Sequence, residues 1–489
     1  MNKQEPAITQ NDRLKCTSKE GGGKSLAGNF AQPCSLREPL ARVFEENSVV
    51  SDSERTTSSP RGSAPKTPKR ISKTKRNYEE LKSFIPQNGN EENYALLSHY
   101  LMMDKGEAKS KKRSELEKQF GFTPENLNDA EKFFSTKNIT FRHKEKPTFT
   151  FIDLFAGIGG FRLAMQANGG ECVFSSEWDD AAKQTYYENY GEVPFGDITK
   201  DETKALIPEH FDVLCAGFPC QPFSYSGQKL GFKDKTKGTL FFDVCEILKK
   251  HRPNVFFLEN VKGLVSHEKG KTIDTIRTVL RDELHYDIHE AILSSLDFGL
   301  PQKRERWYCV GFKKKTEFDF PTGQKKITTL RSIVDINNND PSLTLPKFEM
   351  DRIKYHFAHA SEIRVKHDNS KYKPGTKKGK YGVFSYQKSD GSLRFHVGDP
   401  AKTQIQEAFY SCLDSYASTI IANRTPKLWD IGRKLSMLES LRLQGFPDNF
   451  KIPVSNAQGY KQLGNSVSVP VLNEITKKII LIQQEKKNG

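Results

Sequence analysis

The chain has 489 residues, with 76 Lys and Arg against 61 Asp and Glu and a net charge of +15. Its length allows two or three domains, and it holds no long apolar run of the kind that crosses a membrane, so no membrane partner is expected. The basic balance favours a polyanionic partner, nucleic acid first, although a basic soluble protein without one would carry the same charge.

Residues 1–75 are rich in Ser, Thr, Pro, Lys and Gly. The stretch "PRGSAPKTPKRISKTKR" (60–76) has seven basic residues and no acid. So little apolar surface does not offset the entropy of ordering, so 1–75 is predicted to be a disordered basic tail. Such a tail either follows phosphates or only solubilises. The first residues, "MNKQEPAITQNDRLKC", lack the apolar core of a secretory signal. The eight cysteines, at 16, 34, 172, 215, 220, 245, 309 and 412, form no Cys-x-x-Cys pair and no zinc-ligand spacing. No metal is expected, and scattered thiols in a long chain read as reduced and intracellular.

Over 76–146 the pattern turns helical. "NYEELKSF", "EENYALLSHYLMM" and "SELEKQFGF" space apolar residues three and four apart. "TPENLNDAEKFF" opens with a Thr cap, a Pro and an acidic first turn. A small helical accessory domain is predicted, a plain bundle rather than a helix-turn-helix.

From 147 to 312 strands alternate with helices. "TFTFIDLF", "ECVFSSEW", "FDVLCAGF", "PNVFFLENV" and "RWYCVGF" read as strands, with a further strand expected to end near "GDIT". "FRLAMQANG", "DDAAKQTYYENYG", "TLFFDVCEILKKH" and "TIDTIRTVLRDEL" read as helices. That alternation predicts an α/β fold with a mostly parallel, doubly wound sheet. Over 313–432 the alternation fails, and "RVKHDNSKYKPGTKKGK" (364–380) holds seven basic residues and one acid. It reads as a phosphate-contacting loop or as a solvated insertion. Over 433–489 the helical pattern returns.

Three constellations carry chemistry. "FIDLFAGIGGFRLA" (151–164) is strand, Gly-rich turn, helix. Gly157, Gly159 and Gly160 would let backbone approach a ligand, or would merely turn the chain. Glu177 ends the second strand about 20 residues on, where a ribose-hydroxyl acceptor belongs. Asp197 is expected at the end of the third strand, hence in the same crevice. A nucleoside-type ligand follows; a surface acid and a helix cap are the plainer roles for this pair. "GFPCQPFS" (217–224) then sets Cys220 between two prolines just after the fourth strand. A thiolate is a nucleophile, and the prolines hold the loop. "LEN" places Glu259 at the same sheet edge, where an acid suits attack on a ring that must be protonated to accept it. In "QKRER", Gln302, Arg304 and Arg306 would bind oxygens or anions, or hold Glu259. Cys215, Cys245 and Cys309 read as core.

The stretches "FIDLFAGIGGF", "SSEW", "GDIT", "GFPCQPFS", "GTLFFDV", "ENVKGL", "QKRERWYCVGF", "RKLSMLESLRLQGFPDNF" and "YKQLGNSVSVPV" occur in this order. Together they resemble the cytosine-C5 DNA methyltransferases, Dcm-type bacterial branch, over about 150–312 and 433–472. The resemblance implies a Rossmann-like S-adenosylmethionine-dependent catalytic domain over 147–312, completed by 433–489. It makes 313–432 a target-recognition domain. By resemblance, Cys220 attacks C6 of a flipped-out cytosine and Glu259 protonates N3. Arg306 addresses O2, with Arg304 and Gln302 supporting the site. Gln221 and Ser224 on the catalytic loop, and with them Gln302, would contact double-stranded DNA. The cofactor would meet Phe155, Gly157, Gly159, Glu177, Trp178, Asp197, Ile198, Leu240, Asn465 and Val467. The family implies a monomer in the cytoplasm, associated with the nucleoid, and a restriction endonuclease as functional partner. One departure is Leu438, where Arg is common in the family. The family's tRNA-methylating branch and a DNA-binding regulator using 77–137 are the rival functions.

Overall fold

The computed structural model describes residues 73–143, 146–219, 240–324, 328–359, 364–367, 382–398, 406–422 and 424–488. The expected tail 1–72, most of the lysine-rich stretch 364–380, and Cys220, Gln221 and Ser224 lie outside them.

The strands of the central sheet are β1 (Phe149–Leu154), β2 (Gly170–Ser176), β3 (Val213–Ala216), β4 (Val255–Val261), β5 (Asp287–Ser294) and β7 (Glu305–Phe312); the two-residue strand β6 (Gln302–Lys303) stands apart from it. They are ordered β2-β1-β3-β4-β7-β5. β1 to β4 are parallel, and β7 runs antiparallel between β4 and β5. Helices cover both faces, so the inner strands are apolar on both faces over most of their length rather than alternating. Ile152, Leu154, Phe174, Leu214, Phe256 and Leu258 face one helical layer. Phe149, Phe151, Val213, Val255 and Phe257 face the other.

Two strand expectations are corrected. The segment before "GDIT" pairs only through a single bridge, Ser176 to Phe195. And β5, "DIHEAILS", was not anticipated, because as an edge strand it is only half buried and half of its residues are polar.

Helices α1 (Lys73–Lys82), α2 (Glu91–Met102), α3 (Glu107–Gln119) and α4 (Pro124–Ser135) form the N-terminal unit. α4 starts as its sequence predicts: Thr123 Oγ1 accepts from the Asn126 N–H, and Pro124 follows the cap. The helical unit begins at Lys73, so residues 73–75 belong to it and not to the tail. It is not a separate body, since Tyr94, Leu97 and Leu101 share one apolar cluster with Phe174, Val193 and Ile198. α5 (Gly160–Ala167) and α6 (Asp180–Tyr190) follow β1 and β2, and α7 (Leu240–His251) precedes β4.

The second unit is a mixed sheet in which 393–398 pairs antiparallel with 382–387 and with 406–411. Helix α8 (Lys347–Ala358) buries Ile353 against Leu393, Phe395, Tyr410 and Trp429. Its limits differ a little from 313–432: Phe318 and Phe320 pack into the catalytic core, and the last strand pair ends at Lys434. The chain then returns through α9 (Met437–Gln444), α10 (Asn456–Asn465) and α11 (Val469–Asn488). Val471, Leu472, Ile475 and Ile479 of α11 pack with Phe161 and Met165 of α5, so the C-terminal segment completes one face of the first sheet.

Asp153, in β1, is fully buried, and neither carboxyl oxygen has a hydrogen-bond partner. The Arg162 backbone N–H is near enough to favour the ionised form but does not meet hydrogen-bond geometry. Burial, against the pull of Arg162, holds its pKa well above the usual carboxylate range. The folded chain therefore keeps a proton that the unfolded chain releases above about pH 4. Stability falls as pH rises through that window, by up to about 1.4 kcal/mol per pH unit. Asp153→Asn cannot ionise and removes this slope. The Tm of the variant, taken relative to wild type by calorimetry, is expected to rise as the pH is raised above the ordinary carboxylate range. A pH-independent difference would mean that the carboxyl is ionised in the fold.

Candidate active site

A cavity of about 810 Å³ opens at the C-terminal ends of β1 to β4. The Gly-rich turn forms its floor. Phe155 is left-handed (φ 55°), a strained state for a non-glycine residue and one that recurs at functional sites. Gly157 is also left-handed (φ 55°), and a Cβ added there would meet nothing within 4 Å. Its glycine is demanded by backbone conformation, and it leaves the cavity open. Gly159 differs from expectation. It does not line the cavity; its N–H donates to Ala156 O (2.8 Å), and a Cβ would lie 2.3 Å from the Tyr190 ring. This glycine serves the close packing of α5 on α6.

Glu177 lies at the end of β2, nearly buried. Its Oε1 accepts from the Trp178 and Asp179 N–H groups (2.9 and 2.8 Å), and its Oε2 from the Gly157 N–H (2.8 Å). Burial raises its pKa and these three donors oppose the shift. Oε2 keeps a free acceptor site. Trp178 beside it is 79% exposed, and no larger apolar surface is offered by any described side chain. Asp197 reaches the cavity wall from a turn closed on Thr199, whose N–H and Oγ1–H donate to Asp197 Oδ1 (3.0 and 2.9 Å). Ile198, Leu240, Asn465 and Val467 complete the lining on this side.

At the other end stands Glu259, on β4. Register places Tyr308 opposite Glu259 and Arg306 opposite Val261, so Arg306 is its diagonal neighbour on the same face. Arg306 Nε lies 3.2 Å from Glu259 Oε1, though that oxygen has no aligned hydrogen bond. Burial raises the pKa of Glu259, with Arg306 and then Arg304 opposing. An 8% exposed carboxyl with one unaligned cation is therefore poised to hold a proton longer than a surface glutamate.

Cys220 lies outside the described residues, but the chain leading to it does not. A Cβ added at Gly217 would lie 3.7 Å from Glu259 Oε2. Asn260 Nδ2 donates to Phe218 O (3.0 Å) and pins the chain as it leaves β3. Pro219 then lines the cavity. Of the other thiols, Cys172, Cys215, Cys245, Cys309 and Cys412 are buried. Burial pushes those of Cys215, Cys245 and Cys309 well above the usual thiol range, the inert state expected of core cysteines.

Arg304 and Gln302 bind the fold together. Arg304 donates to the carbonyls of Ile420 (3.0 Å), Gly464 (3.4 Å) and Ser466. Gln302 is fully buried; its Nε2 donates to Leu443 O and Gln444 Oε1, and its Oε1 accepts from the Ile420 N–H. Gln302 is thus corrected from a DNA-contacting residue to a clasp, since no part of it is open to solvent. Through this clasp Ile421 and Ala422 of the second unit reach the cavity. Neither they nor Asn260 were singled out from sequence. Asn260 carried a signal, an amide ending an apolar strand; the other two carried none.

The family model described as C-5 cytosine-specific DNA methylase matches residues 149–481. The chain belongs to that family. It is a DNA cytosine-5 methyltransferase. It is 45% identical over 337 residues to the type II methyltransferase M.HpaII of Haemophilus parainfluenzae, covering 68% of this chain and 89% of that relative. It is 40% identical to M1.ScrFI of Lactococcus lactis subsp. cremoris, over 71% of this chain and 82% of the relative. Identity to M.HhaI of Haemophilus parahaemolyticus is 37%, over 69% of this methylase and 96% of the relative. The family match begins at the first residue of β1, so the N-terminal helices precede it.

Proposed function

We propose that this methylase binds S-adenosylmethionine between Phe155 and Val467 and methylates C5 of a cytosine flipped into the Glu259 end of the same cavity. The observation that carries the reading is the meeting of the Gly-rich turn with the Glu259–Arg306 pair in one cavity, which Pro219 also lines. The residues suit that cofactor. Glu177 Oε2 has acceptor capacity for a ribose hydroxyl, the Trp178 ring is bare, and backbone at Gly157 is approachable.

When bound, the cofactor supplies an electrophilic methyl group. The protein makes C5 a nucleophile. The Cys220 thiolate adds to C6, and protonated Glu259 gives its proton to N3 as charge develops on the ring. Arg306, which already holds Glu259, would meet the O2 oxygen. After transfer, loss of the C5 proton to solvent restores the double bond and expels the thiolate, and N3 returns its proton to the Glu259 carboxylate, so that both groups are regenerated. Gln221 and Ser224 would contact the DNA around the vacated base, and extruding that base costs a few kcal/mol.

The relatives are named as type II methyltransferases. We read the same role here: action on double-stranded DNA, in the cytoplasm, as a monomer, with a cognate restriction endonuclease whose site the methyl group protects. The test is transfer of labelled methyl from S-adenosylmethionine to duplex DNA, followed by bisulfite sequencing. Marked cytosines in one short recurring context are expected. Label entering a tRNA transcript and not duplex DNA would overturn the substrate.

A further inference from the structure

We propose that the N-terminal helices brace one wall of the cofactor site from behind, and that Glu92 of α2 is a positioning residue for it. The inference rests on the reading of the cavity given above.

The segment carrying Asp197 and Ile198 has little support of its own. It lacks a strand ladder: Phe195 makes one bridge to β2, with its N–H on Ser175 O (2.8 Å) and its carbonyl accepting from the Glu177 N–H (2.9 Å). Beyond that bridge the described part of the catalytic sheet adds packing, with the Phe195 ring stacked on Phe174 of β2 (centroids 4.7 Å apart), but no further backbone hydrogen bond. The next backbone donor, the Gly196 N–H, gives its hydrogen bond to Glu92 Oε2 (3.2 Å). The other oxygen of Glu92 accepts from Thr203 Oγ1 (2.5 Å), in the short helix Asp201–Ala205 that follows the turn. One carboxylate therefore staples both flanks of the Asp197 turn. The contact is close: a Cβ added to Gly196 would lie 3.0 Å from Glu92 Oε1. Bonds from an ionised acceptor are roughly twice as strong as neutral ones.

Other contacts from the same helix hold the neighbouring chain. Ser98 Oγ accepts from the buried Val193 N–H (2.8 Å). Lys183 of α6, its side chain 1% exposed, pairs with Glu91. α6 follows Trp178 directly, so both ends of the expected adenosine contact are braced by α2. Beneath them the apolar cluster is continuous from Tyr94 and Leu97 to Phe195 and Ile198. The family's own segment begins at residue 149, so this bracing is supplied from outside it.

The test uses the full chain and Trp178 fluorescence. The other two tryptophans, Trp307 and Trp429, are each 1% exposed, so a response to added S-adenosylmethionine reports Trp178. Glu92→Ala is expected to weaken cofactor binding about tenfold, or about 1.4 kcal/mol. The KM for S-adenosylmethionine should rise in step while kcat at saturation stays the same. Glu92→Gln keeps an acceptor for the Gly196 N–H and should recover most of the loss. Thr203→Val removes one of the two bonds and should fall between; it also decides the matter if Glu92→Ala fails to fold. Wild-type Kd in both Glu92→Ala and Thr203→Val, even with a lowered Tm, overturns this inference alone. Absence of any response in the wild type overturns the cofactor reading and this inference with it.

Discussion

Cys220→Ala is expected to lower methyl transfer to duplex DNA by about 10⁴-fold or more, the scale on which loss of a covalent nucleophile acts. Binding of S-adenosylmethionine and of DNA should persist. The reason lies partly in the other thiols. Burial pushes those of Cys215, Cys245 and Cys309 far from ionisation, and each lies within the packed core, so none replaces Cys220. It lies also in the approach to the site. Gly217 passes Glu259, Asn260 holds the carbonyl of Phe218, and Pro219 opens on the cavity. A nucleophile that reaches the bound base from within the same protein acts at high effective concentration. The measurement is the initial rate with labelled cofactor, alongside cofactor titration of the same preparation. Retention of more than about one per cent of the rate, a loss under about 10²-fold, would remove Cys220 from the covalent step.

Glu259→Gln is expected to cost about 10²–10⁴-fold in kcat, the usual range for a positioned general acid. Glutamine fills the same space and can still donate a hydrogen bond to N3, but it has no proton to transfer. Its effect on the pH profile is the sharper test. Burial raises the pKa of Glu259 against Arg306 and Arg304, so its protonated form extends to higher pH than that of a surface glutamate. That form is lost as pH rises, whereas the Cys220 thiolate is gained. The wild-type rate should therefore pass through a maximum. In the variant no general acid is lost at high pH, so the falling limb disappears and the rate should climb with pH until the thiol is fully ionised. A maximum retained in Glu259→Gln would mean that another group protonates the ring.

Both effects presuppose that the two ends of the cavity are held at fixed separation. Arg304 and Gln302 supply that. Ile420, Gly464 and Ser466 come from the second unit and the C-terminal segment, and all of them bond to the two residues flanking Lys303. A Cβ added at Gly464 would lie 2.3 Å from Ala422 N, so the C-terminal helix α10 ends in direct backbone contact with the second unit. Base pocket and cofactor pocket are built from segments more than 100 residues apart, and these buried bonds set their geometry.

The sequence by itself determined the catalytic sheet and the chemistry set along its edge. A strand buried on both faces must be apolar throughout, so β1, β3, β4 and β7 are legible as runs of Val, Leu, Phe and Ile. A left-handed turn selects glycine, so the floor of the cofactor site is legible at Gly157. Glu177, Cys220 and Glu259 fall at strand ends, where α/β sheets place their ligands. Only the tertiary structure decided the rest. β5 escaped because an edge strand needs no continuous apolar face. Gly159 has the same local pattern as Gly157, yet it answers to the Tyr190 ring 31 residues away. Gln302 and Arg304 stand in the same five-residue motif as Arg306, but their partners lie 116 to 162 residues on. Glu92 reads locally as a first-turn acid at a capped helix, and its work is done on Gly196 and Thr203. Local pattern records which face of an element is buried and which conformations it takes. It does not record which distant polar group will meet a side chain, because that depends on how separate elements are brought together.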